Sequence, residues 1–176
     1  MFAAFGEEGE FCRWVTRLGR QATLAAPTRR GGWAGAAPLV YLQASLLLES
    51  PRKTEFRAAV DAARHDGALL ALDLGDAAWI RDRGGPQTAY ELAAMRPDIL
   101  FASSTAAAEL GVPLEGIASV PVIALEPGGC SVHGRRLASP AREQDPAALA
   151  ATFCVALVEG DAPVEAAGRA VLVAAR

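Results

Sequence analysis

Four short, predominantly apolar runs constrain this chain more than any other feature: Pro38 to Gln43, Ala68 to Leu74, Pro97 to Ala102 and Pro121 to Leu125. Each is too short for a buried helix and too continuous for a strand with one wet face. Runs of this kind are strands covered on both sides, which requires helices above and below a parallel sheet. The stretches between them supply that cover. Ser50-Pro51 opens a helix with Phe56, Ala59, Val60 and Ala63 on one face and Arg57, Asp61 and Arg64 opposite, and Gly67 follows its end. Pro86 to Arg96 reads as a second helix, and Ser103 or Ser104 caps a short third that Gly111 closes. The expected fold is α/β, a doubly wound parallel sheet with helices on both faces. With 52% of its 176 residues hydrophobic, the chain can bury one sizeable core, and residues 1–176 form one domain.

The two ends of the chain read differently. Residues 1–37 suggest two short strands, Phe2 to Phe5 and Phe11 to Val15, joined by an acidic turn Gly6-Glu7-Glu8-Gly9. Thr28 to Gly35 follows as loop, with Trp33 as a lid on the core. Beyond the fourth strand, Gly128-Gly129 turns into Cys130 to His133, which pairs with Arg136 to Ser139 as a hairpin. Two helices close the chain, Ala147 to Glu159 and Pro163 to Ala175.

Charge and cysteine content exclude several classes. The formal net charge is −3, and Arg29-Arg30 and Arg135-Arg136 are isolated pairs, so no basic patch points to nucleic acid. No stretch reaches the roughly 20 apolar residues of a membrane span. The first ten residues carry acids where a signal peptide is basic. Cys12, Cys130 and Cys154 lack metal-ligand spacing and read as buried free thiols of a cytoplasmic protein. His65 falls at a helix end and His133 in the hairpin, so two histidines offer no catalytic triad. Glu7, Glu8 and Glu10 read as a solvated turn.

The stretch Ala141 to Gly160 carries the functional question. A loop ends in Asp145-Pro146 and an alanine-rich helix follows at once. This is the shape of an anion site at a helix N-terminus, but it holds no glycine and no second carboxylate. Asp145 reads either as the relic of such a site or as the helix N-cap.

Taken in order, the segments from Val40 onward resemble the PfkB, or ribokinase-like, family of carbohydrate and nucleoside kinases. Asp73-Leu74-Gly75-Asp76 through Trp79 is similar to the family's aspartate-rich segment, and Ile99 to Gly111 to its strand and Asn-x-x-Glu helix. Val122 to Val132 resembles its Thr-x-Gly-x-x-Gly nucleotide loop, and Asp145 to Phe153 its Asp-Thr-x-Gly-Ala-Gly-Asp-x-Phe motif. The resemblance implies ATP and Mg2+ as cofactors, Gly128, Gly129 and Asp145 beside the nucleotide, and Asp73 toward the substrate.

The departures fall on the chemistry. Ala151 stands at the position of the catalytic base and has no proton acceptor. Ala148, Leu149 and Ala150 replace the Gly-Ala-Gly anion hole. Ser103 and Ala106 replace the Asn and Glu associated with magnesium, and Ala124 and Glu126 replace a threonine and a glycine of the nucleotide loop. Family members are longer, so the N-terminal lobe and lid are expected to be largely missing, either in a shortened relative or with a partner chain completing it. The reading that follows is a kinase homologue that has lost phosphoryl transfer and acts by binding a small metabolite or a protein. The alternative is a divergent sugar or nucleoside kinase using Asp73 or Asp76. A homo-oligomer or a partner protein is expected to cover the exposed sheet.

Overall fold

The computed structural model describes residues 2–5, 9–25, 37–125 and 128–175. Glu7, Glu8, Glu126, Trp33 and the loop 28–35 lie outside these residues.

The chain begins with β1 (Phe2–Phe5), α1 (Gly9–Arg17) and β2 (Ala22–Ala25). β3 (Leu39–Gln43) leads into α2 (Ala44–Leu48) and α3 (Lys53–His65), and β4 (Leu69–Asp73) into α4 (Ala78–Arg83) and α5 (Gly85–Met95). β5 (Ile99–Ser103) and α6 (Ser104–Leu110) precede β6 (Val120–Ala124). A hairpin of β7 (Gly129–Val132) and β8 (Arg135–Ala138) precedes α7 (Pro146–Glu159) and α8 (Pro163–Ala174).

One sheet of eight strands results, in the order β2-β1-β3-β4-β5-β6-β7-β8. β2 through β6 pair in parallel, and β7 and β8 are added antiparallel. Consecutive strand residues feed opposite cores, as the pleat requires. Val40 and Leu42, Leu70 and Leu72, Leu100 and Ala102 pack under α2 to α6. Leu39 and Tyr41, Ala71, Ile99 and Phe101 pack under α1, α7 and α8. The continuous apolar runs therefore do mark strands covered on both faces.

Two expectations are corrected. Phe11 to Val15 is not a strand but the centre of α1. Phe11 and Val15 stand four residues apart, fall on one helical face and are fully buried, while Arg13 and Arg17 point outward. The Phe11 ring stacks on Tyr41 at 4.0 Å between centroids and 3° between planes, which ties α1 to the sheet. Ser50-Pro51 forms a turn and not the first helical residues: α3 starts at Lys53 with Arg52 at its N-cap. The Arg52 amide donates to Ser50 Oγ at 3.1 Å and closes that turn.

α7 is the central helix of its layer. Every residue from Ala148 to Ala156 is buried, so it has no wet face. A helix apolar on all sides belongs in an interior, and this one lies between the sheet, α1 and α8.

Candidate functional site

In open α/β sheets, ligands bind outside the carboxyl ends of the strands. Here Gln43, Asp73, Ser103 and Ala124 are the last residues of β3, β4, β5 and β6 and form that edge. A cleft of about 840 Å³ opens there between the ends of β5 and β6 and the N-terminus of α7, lined among others by Ser103, Ser104, Gly128, Arg142, Gln144 and Leu149.

The N-terminus of a helix can hold an anion because its first N–H groups lack helical partners. In α7 none of them is available. The Asp145 amide donates to the Ala174 carbonyl at 3.0 Å. Pro146, the first helical residue, has no N–H. Asp145 Oδ1 accepts from the amides of Ala147 (3.0 Å) and Ala148 (3.2 Å). The Leu149 amide already donates to the Asp145 carbonyl at 2.9 Å. The other carboxylate oxygen, Oδ2, accepts from the indole N–H of Trp14 at 3.1 Å, and the Arg17 guanidinium lies 4.8 Å from that ring. Asp145 is thus the N-cap of α7, and its own carboxylate occupies the place of a bound anion.

The positions that the resemblance marks are filled in the same sense. Ala151 and Ala148 are fully buried and Leu149 is 3% exposed. Ser103 Oγ caps α6 by accepting the Ala106 amide at 3.0 Å, and Ala106 is buried under the helices of the other face. Gly128 and Gly129 have φ of 152° and 114°, and each allows a close backbone approach. A Cβ on Gly128 would sit 2.6 Å from the Ala141 carbonyl oxygen, and one on Gly129 2.2 Å from that of Leu137. The Gly129 amide donates to Gln144 Oε1 at 2.9 Å. The glycine pair serves the start of the hairpin, whose turn at His133 and Gly134 has both φ values positive.

Asp73 ends β4 and lies near enough to α7 to act on Cys154. Its Oδ2 accepts from the Tyr41 hydroxyl at 2.5 Å and its Oδ1 from the Gly75 amide at 2.8 Å. Loss of water raises this carboxyl above the ordinary carboxylate range, and the two hydrogen bonds oppose the shift. Burial also pushes the Cys154 thiol far up, with the Asp73 charge adding to it, and raises Cys130 to about 11. Both cysteines stay protonated and unreactive at neutral pH. Trp14 and Tyr41 were not anticipated as site residues, and no spacing in the sequence links them to Asp145 and Asp73.

A phosphate group at the α7 N-terminus would compete with the Asp145 carboxylate for the amides of Ala147 and Ala148. The helix donors that would cradle it are engaged. Among the described residues, no group of three or more His, Cys, Asp or Glu side chains could hold a metal ion. No helix of the described residues is long and apolar enough to cross a membrane.

No family model and no curated protein matches the sequence. Solved structures do match the fold. An adenosine kinase from Sinorhizobium meliloti superposes with a TM-score of 0.67 at 19% identity, over 80% of this chain and 49% of the other. A PfkB protein from Polaromonas sp. JS666 matches with a TM-score of 0.59 at 18% identity, over 88% and 64% respectively. A sugar kinase from Pyrococcus horikoshii in complex with ATP gives 0.59 at 18% identity, over 80% and 51%. The chain spans about half the length of the adenosine kinase and the sugar kinase, and under two thirds of the PfkB protein. The fold of this chain is that of the ribokinase-like PfkB sugar and nucleoside kinases.

Proposed function

We propose that this protein is a PfkB-like kinase homologue that has lost phosphoryl transfer and acts through binding, as a scaffold or as a receptor for a small metabolite. One observation carries the reading: the carboxylate of Asp145 occupies the anion position at the N-terminus of α7. Phosphoryl transfer relies on positioning and charge stabilisation of the phosphate, so the loss of its cradle removes the main catalytic term. Buried Ala151 at the base position supports the same reading. The test is an end-point assay of the purified chain with ATP and Mg2+ against a panel of sugars and nucleosides. The expected result is no phosphorylated product above the protein-free background; product dependent on one acceptor overturns the proposal.

A second reading keeps an enzyme, and the Tyr41–Asp73 pair favours it. A desolvated carboxyl at the carboxyl edge of the sheet is poised as a general base. Sugar-dependent ATP hydrolysis that disappears in Asp73→Asn supports this version, and its absence in the wild type removes it.

We further propose that the protein self-associates or docks a partner in the cytoplasm. β2 ends the sheet, and Leu172 on α8 is 68% exposed. The free thiols Cys130 and Cys154 suit a reducing compartment. Light scattering that gives a monomer mass at every concentration, with no partner chain present, excludes self-association.

A further inference from the structure

We draw no further inference here: the strongest candidate, the outer edge of β2 at the end of the sheet, has no strand beside it among the described residues, and nothing in the structure shows what covers it.

Discussion

Ala151→Asp, which puts a carboxylate where the sequence resemblance marks a base, tests whether position 151 faces a usable site or the core. Ala151 has 0% of its surface exposed and packs in the same cluster as Phe11, Val15 and Phe153. A carboxyl group there must displace packed atoms, which costs about 1–3 kcal/mol. It must also stay charged without water or move its pKa upward. A rise of about 3 units, the scale of a fully buried carboxyl, corresponds to about 4 kcal/mol near neutral pH. The two contributions give a destabilisation of about 5–7 kcal/mol at pH 7, comparable to the whole stability of many domains. The pH dependence has a definite sign. The folded-state pKa lies above the unfolded value of about 3.9, so the folded state holds the proton more tightly between the two values. Stability is then greatest below the unfolded value and falls as pH rises through the folded one. Urea denaturation followed by far-UV circular dichroism, at acid and neutral pH, reads this directly. Ala151→Asn is the control, because it has the packing cost without the titration. A loss under about 1 kcal/mol at pH 7, with the same pH profile as Ala151→Asn, refutes the burial argument and places residue 151 on an open site.

Three further outcomes are expected. Asp145→Ala removes the acceptor of two helix amides and should cost about 1–2 kcal/mol in urea denaturation; the partly exposed Trp14 indole can turn to water and adds little. The freed amides should also let phosphate, compared with chloride, stabilise the variant more than the wild type, and equal stabilisation counts against a self-filled anion site. Tyr41→Phe deletes a hydrogen bond that lowers the raised pKa of Asp73, so that carboxyl should titrate at still higher pH by 13C NMR. Its stability should then continue to fall with pH over a wider range, since a raised folded-state pKa favours the acid side. Gly129→Ala places a Cβ 2.2 Å from the Leu137 carbonyl oxygen at φ 114° and should destabilise by about 2–4 kcal/mol, measured as a lowered denaturation midpoint.

The sheet was legible where strands are buried on both faces. Pro38 to Gln43 and Ala68 to Leu74 bracket β3 and β4 to within a residue or two, because double burial leaves only apolar side chains. The hairpin and the two final helices were legible from Gly128-Gly129, Asp145-Pro146 and Pro163. α1 was not, because a two-turn amphipathic helix exposes just Phe11 and Val15 as a periodic signal, and its aromatic and β-branched residues also suit a strand. β2, with the sequence Ala-Thr-Leu-Ala, carries no pattern at all. At the site, the alanines and Leu149 at the positions that the resemblance marks for a base and an anion hole were visible as letters. Their physical meaning was not, since alanine fits a wet loop and a dry core equally. That Asp145 fills the vacancy could be read only in part: Asp-Pro signals a cap, but Trp14 reaches it across 131 residues of chain. The Tyr41–Asp73 pair depends on the β3–β4 register, which sets Gln43 opposite Asp73 and leaves Tyr41 two residues back on the same face.

Calorimetric titration of the purified chain with ATP and ADP in the presence of Mg2+ tests the closed anion site most directly. A closed N-terminus of α7 predicts no saturable heat and no thermal shift. Micromolar, Mg2+-dependent binding would contradict the claim that Asp145 has taken the place of the phosphate.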